Sequence, residues 1–528
     1  MKQLITLSIS VLLLEASSVA AAAEVVVYPP VPGLAASEHY KVRVRAAAEG
    51  SEWQSAFAFE TTCKAAANLK EGYFDHLAGW SHTYVNFETT GAVEIEIARA
   101  NGQPIRSAAV HPLRKASACS IKNGKAIVRL DQPCLVAVDI DGQMDTQDTG
   151  KGYKGPPIHT ISLFANPPLV GKPKADDPGV FTVKPGEKPP SDGTWTTLYF
   201  LPGVHDVGLA FPLNANRQYY IPGDAIVYGT LSNTKWADGH HIRIFGHGTL
   251  SGSGIKHPKY VEPAISKKEL GSYRPIEVIG TTDTRVEGIT IADSAYHSLM
   301  LIGPYKEGHP NEVNWTKIFT WRVNGDGINA FGNTLIEDCF IRTQDDSLIV
   351  NGLGIRRTVL WNDANGSSFV LSALPELSDR QLVVEDCDVI YARAKWDKWR
   401  GGRVFNMRGE GGGAAGSGVI FRNINIEDPR PTLQQFFICM TMPEPYSKGA
   451  EKREAGDFSG ILFQNISIAA PSVLAEPQIL WGQSDARIRK LTFDNLTVGG
   501  ERVLSADFFK TNEFVGDLIF PPNNDSKK

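Results

Sequence analysis

Beyond residue 23 the chain has no apolar run long enough to cross a bilayer, so no membrane span is expected in its body. Cysteine is scarce as well: six in 528 residues cannot form a disulfide scaffold, and no Cys or His pair falls at zinc-ligand spacing. The formal net charge of -5 is small for this length, and no long run carries one sign, which argues against a nucleic-acid partner. A neutral or mildly polar ligand fits better. No metal or cofactor is called for, and these patterns set no oligomeric state.

What is present begins with a leader. Residues 1–23 combine Lys2, an apolar stretch from Leu4 to Leu14 and the small residues Ala20 to Ala23, the pattern of a secretory signal peptide rather than an anchor. A secreted or periplasmic protein is therefore expected. In such a compartment Cys119 and Cys134, which flank a hairpin-like stretch turning at Asn123-Gly124, are expected to form a local bridge; Cys63, Cys339, Cys387 and Cys439 read as buried thiols.

From 24 to 165 short alternating segments (YKVRVRA, AVEIEIA, CLVAVDI) predict a β-sandwich. Residues 166–194, rich in Pro, Gly and Lys, read as a linker. From 195 to 515 one strand fragment recurs: GITIAD, KIFTWR, EDCFIR, RTVLWN, EDCDVI, RNINIE, QNISIA and DNLTVG, with Ile289, Ile318, Cys339, Val359, Cys387, Ile424, Ile466 and Leu496 taken as equivalents. A period of roughly twenty to thirty residues, without a helical apolar period, predicts coils that bury their inner face only by stacking. The expected fold is all-β, a right-handed parallel β-helix preceded by a sandwich, with 516–528 as a tail.

One segment, residues 321–350, breaks the hydrophobic alternation. It holds Asp326 in NGDG and then Asp345 and Asp346 in QDDS, nineteen and twenty residues on. That separation is close to one coil, so both turns are expected at nearly one station on successive coils about 4.8 Å apart. Like-charged carboxylates so close push at least one pKa upward, which suits a proton donor beside a base. Aspartates at solenoid corners also cap turns, and for isolated residues such as Asp338 and Asp386 that reading is preferred.

NGDG, one coil, then QDDS resembles the clan of β-helical hydrolases that includes polygalacturonases and the glycoside hydrolase family 49 dextranases and isopullulanases. The resemblance covers the mature chain, since family 49 enzymes also carry an N-terminal sandwich. It implies that Asp345 is the general acid, while Asp326 and Asp346 position and deprotonate the attacking water, with inversion. Polygalacturonases carry Gly-His-Gly one coil after the aspartates and then Arg-x-Lys. Here Asn365-Gly366 stands in that region without a His, and the lone Gly246-His247-Gly248 lies upstream in what reads as a structural turn. A neutral glucan is accordingly expected as the polysaccharide or oligosaccharide substrate, dextran or pullulan in type. A polygalacturonase-like enzyme, a polysaccharide lyase and a non-catalytic glycan-binding β-helix remain the alternatives.

The substrate-binding candidates are Trp361, Asn365, Trp396 and Arg403. Aromatic rings near the carboxylates suit the CH face of a sugar, although each can equally pack a loop onto the helix.

Overall fold

In this computed structural model the described residues are 23–64, 71–144, 156–233, 239–304, 308–371, 381–393, 404–408, 418–428, 438–441, 457–469, 478–482, 484 and 487–522. Residues 1–22 of the expected leader, Trp396 and Arg403 lie outside them.

Period-two alternation sorts the N-terminal strands into two packed sheets. In Tyr40–Ala46 and Val93–Arg99 every second residue is buried, so Tyr40, Val42, Val44, Val93, Ile95 and Ile97 line one face and polar residues the other. These strands belong to a five-stranded antiparallel sheet. Facing it is a six-stranded sheet that includes Ser81–Thr89, Cys134–Ile140 and His159–Asn166. Ser81–Thr89 is buried at all nine positions. One side meets the partner sheet through Val85 and Phe87; the other, with Tyr84, packs on Phe319 of the following region.

Lys122 pairs with Lys125 around Asn123 and Gly124, whose φ values of 51° and 73° form the expected hairpin turn. The expected bridge does not form. Cys119 lies opposite Val128 in one sheet and Cys134 opposite Ala165 in the other, and both thiols are free. Cys63, Cys339 and Cys387 are buried thiols.

The remaining strands wind as one sheet, parallel apart from Glu501–Arg502, and in the part that holds the aspartates three strands make a coil. Leu299–Ile302, Asn311–Asn314 and Lys317–Phe319 make one coil; Ile328–Phe331, Thr334–Glu337 and Phe340–Thr343 stack upon it as the next. The fold is a parallel β-helix. Its interior is a column of branched side chains, Ile291, Ile318, Ile341, Leu360, Val389, Ile426, Ile468 and Val498, each opposite the next. All eight recurring fragments thus fall on one face, with two corrections of register: Ile318 is partnered by Ile341 rather than Cys339, and Val359 by Phe340. The winding is also longer than expected. Val180–Val183, inside the stretch read as a linker, pairs with Thr197–Phe200, and Val515–Ile519 carries the sheet into the stretch read as a tail.

At one corner the chain must adopt the left-handed conformation, which Asn and Asp tolerate best. Asp338, Asp386, Asn423, Asn465 and Asn495 do so, with φ between 52° and 61°. Asn495 donates to Asn465, Asn465 to Asn423 and Asn423 to Asp386, at 2.9 to 3.0 Å. Asp338 and Asp386 are corner residues, as the isolated aspartates were expected to be.

Candidate active site

The site forms where the third strand of each coil turns into the first strand of the next. Ile328 stands opposite Leu348, and Leu348 opposite Phe369. Two residues earlier, Asp326, Asp346 and Ser367 therefore share one station. Main-chain bonds tie the turns together: Gly327 N donates to Asp346 O, and Ser347 N to Ser367 O, each at 2.8 Å. Upstream, Leu299 opposite Ile328 and Ile276 opposite Leu299 extend the column to His297 and Arg274. Asp345 sits one residue before that column.

Two glycines let the coils close around it. Gly366, with φ at +76°, leaves no room for a side chain: a Cβ there would lie 2.2 Å from the Asp345 carbonyl carbon and the Asp346 nitrogen. A Cβ on Gly327 would meet Ser347 O at 2.2 Å. The peptide after Asp345 is held further by its carbonyl, which accepts from Thr343 Oγ1 and Asn362 Nδ2, both at 2.8 Å.

Asp326, Asp345 and Asp346 keep only 8, 9 and 7% of their surface exposed, so their carboxylates are largely taken from water and depend on protein donors. Asp345 Oδ1 accepts from Asp346 N and Oδ2 from Asn365 Nδ2, each at 3.0 Å. Asp346 Oδ1 accepts from Ser367 N at 3.0 Å, and Ser367 Oγ accepts from Asn406 Nδ2 at 2.9 Å. His297 Nε2 lies 3.7 Å from Asp326 Oδ1. Burial, with Arg274 and His257 adding to it, drives the His297 pKa down to about 3, so the ring is neutral at ordinary pH. With Asn329 Nδ2 donating to Nδ1 at 2.9 Å, the ring proton is left on Nε2, the nitrogen facing Asp326.

Beside it, Tyr296 stacks on His297 with ring centroids 4.1 Å apart. Burial and then Asp326 raise its pKa, Asp345 adding to the effect and Arg274 opposing it. Tyr296 is only half-buried. These three residues, Arg274, Tyr296 and His297, form one end of the carboxylate group. Sequence reasoning missed them because a longer coil separates them from NGDG. Stepping one coil back from Ile328 to Leu299 reaches Tyr296 and His297, and a second step to Ile276 reaches Arg274.

Asp326, Asp345, Asp346 and Asn365 thus come together. Trp361 does not join them. It is 1% exposed, its indole Nε1 donates to Asp363 Oδ1 at 2.6 Å, and it packs against His82 of the sandwich and Tyr391. An indole buried between sandwich and helix offers no face to a sugar, which corrects the expectation of a platform there. His247 of Gly-His-Gly is likewise interfacial, bonded to Tyr28 at 2.6 Å and Glu88 at 3.1 Å.

No family model matches the chain. It is 25% identical over 419 residues to a dextranase of Arthrobacter globiformis and, equally, to a dextranase of Arthrobacter sp. strain CB-8. Each alignment covers 68% of this chain and 64% of the other, so the match spans less than two thirds of these curated relatives. Among solved structures, Dex49A from Penicillium minioluteum shares the fold at a TM-score of 0.62 and 16% identity, covering 94% of this chain and 96% of that one. By sequence the chain is related to these dextranases, and it shares the parallel β-helix fold of Dex49A.

Proposed function

We propose that this chain is a secreted glycoside hydrolase that cleaves α-glycosidic bonds of a neutral glucan, dextran or pullulan in type, with inversion. The observation that carries the reading is the shared station of Asp326 and Asp346 on successive coils with Asp345 beside them, all three nearly buried on the outer face of the helix. Similarity to dextranases supports the substrate class. So does the place of His247, which is held by Tyr28 and Glu88 and is no partner of the aspartates as in the uronate-cleaving pattern.

In the proposed reaction Asp345 gives its proton to the glycosidic oxygen as the bond from that oxygen to the anomeric carbon breaks. Asp326 and Asp346 orient a water on the opposite face of the ring and take its proton as its oxygen bonds to that carbon. One proton leaves the enzyme and one is gained, so the pair is reset by exchange with water. Neutral His297 turns its Nε2 toward Asp326 Oδ1, 3.7 Å away, and so borders the space of the attacking water. Tyr296, half-buried at the end of the group, supplies the aromatic face that Trp361 does not.

The test is a screen of the secreted protein against dextran, pullulan, polygalacturonate and arabinan, with product anomers followed by proton NMR. The expected outcome is a β-anomer appearing first from an α-glucan. Cleavage of polygalacturonate alone, or first release of the α-anomer, would overturn the substrate class or the stereochemistry respectively.

A further inference from the structure

We propose that the N-terminal sandwich is a working part of this active site: it grips both aspartate turns from behind through two buried arginines, Arg322 and Arg342. The inference rests on the reading of the aspartates as catalytic.

Arg322 lies four residues before Asp326 and is wholly buried. Its Nη2 donates to the phenol oxygen of Tyr73, from the sandwich, at 2.8 Å and to Asp293 Oδ2, from the preceding coil, at 3.2 Å. Tyr73 in turn donates to Asp293 Oδ2 at 2.6 Å, closing a triangle. Backbone joins in, since Val323 N donates to Gly72 O at 2.9 Å. The next residues make the tight turn of NGDG, in which Gly325 N donates to Arg322 O at 3.1 Å. The sandwich therefore holds both the side chain and the main chain of the residue from which that turn springs.

Arg342 repeats the arrangement three residues before Asp345. Its Nη1 donates to Thr160 Oγ1 at 2.7 Å and to His82 Nδ1 at 2.8 Å, both from the sandwich. Its Nε donates to Asp363 Oδ2 at 2.8 Å, and the same oxygen accepts from Gln344 Nε2 at 3.1 Å, the residue adjoining Asp345. The guanidinium lies between the rings of Trp321 and Trp361, 4.6 and 4.1 Å from their centroids. Thr320 couples the two grips: its hydroxyl donates to Gly325 O at 2.9 Å and accepts from Gln344 N at 3.0 Å.

Docking alone does not call for this chemistry. Burying a charged pair costs desolvation that apolar contact avoids, and the same interface has apolar contact through Tyr84, Phe164, Phe319 and Phe340. What paired arginines add is fixed direction, through several donors in one rigid plane. Both stand immediately ahead of the carboxylates, where a misplacement of about 1 Å costs on the order of a hundredfold in rate.

Tyr73, His82 and Thr160 are thus positioning residues. The experiment measures kcat, KM, the pH–rate profile and the melting temperature of Tyr73→Phe, Thr160→Val and, as a control, Tyr28→Phe on the substrate that the wild type cleaves. Tyr28 bonds Glu88 within the sandwich and His247 across the same interface, upstream of both aspartate turns. The expected result is a fall in kcat of about tenfold or more in Tyr73→Phe and Thr160→Val, with KM within about twofold and a displaced pH–rate profile. Tyr28→Phe should lower the melting temperature and leave kcat alone. Wild-type kcat in both positioning variants, an equal kcat loss in Tyr28→Phe, or failure of both positioning variants to fold would overturn the proposal. Activity surviving in Asp345→Asn would instead sink the catalytic reading beneath it.

Discussion

A Cβ on residue 366 would stand 2.2 Å from the backbone of Asp345 and Asp346, in a conformation with φ at +76° that L side chains rarely adopt. Gly366→Ala must therefore strain its own backbone, at about 1–2 kcal/mol, and push the aspartate peptide aside. The expected outcome is a modest fall in urea midpoint with a kcat loss of about tenfold or more. An unchanged kcat would show that the position of that peptide does not matter to the reaction. At this scale the sequence was legible where chemistry departs from pattern. Asp326, Asp345 and Asp346 interrupt a hydrophobic alternation and so stand out. The place of Trp361 is not legible, because aromatic residues near carboxylates look alike whether they face a ligand or a second sheet, and only the sandwich packed against it decides. Tyr296 and His297 carry no signal until the coil register is known.

The corner column from Asp386 to Asn495 is a repeating element that turns successive coils in register. Asn465 holds φ at 53°, donates to Asn423 and accepts from Asn495. Asn465→Ala loses both bonds and keeps an unfavourable left-handed residue, so it should cost about 1–2 kcal/mol; Asn465→Gly, which removes the steric strain, should cost less. Urea denaturation distinguishes them, and equal losses would mean that the ladder rather than the conformation sets the cost. Strands were legible here because the period-two pattern and the Asn or Asp corner recur together. Their register was less so. Val359 is out of register by one because every position of Val359–Asn362 is buried, leaving sequence no alternation to count, and Ile318 by two because its coil places Thr316 where the coils on either side have Ile289 and Cys339.

Across the whole molecule, buried neutral histidines link folding to pH. Burial lowers His247 and His257 to about 4 and His297 to about 3, and holds His82 well below its usual value. In the unfolded chain these rings take up protons from about pH 6.5 downward, whereas the folded protein resists until its lower values are reached. Their contribution is therefore complete above about pH 6.5 and is lost as pH falls toward 4 and 3. A melting temperature that declines steadily from pH 6.5 to 4 is expected; a flat profile across that range would contradict neutral burial. The two regions were legible as a change from alternating strands to a repeat, but their junction was not. Val180–Val183 sits among prolines and glycines that mask one short strand, and its partner, Thr197–Phe200, lies beyond them.

The central claim is that Asp326, Asp345 and Asp346 act as one catalytic group. Sugar release from the α-glucan that the wild type cleaves should be measured for Asp326→Asn, Asp345→Asn and Asp346→Asn, with circular dichroism to confirm folding. Each near-isosteric change is expected to reduce kcat by roughly 10²- to 10⁴-fold while the spectrum stays that of the wild type. Wild-type rates in Asp345→Asn with an intact fold would contradict the account.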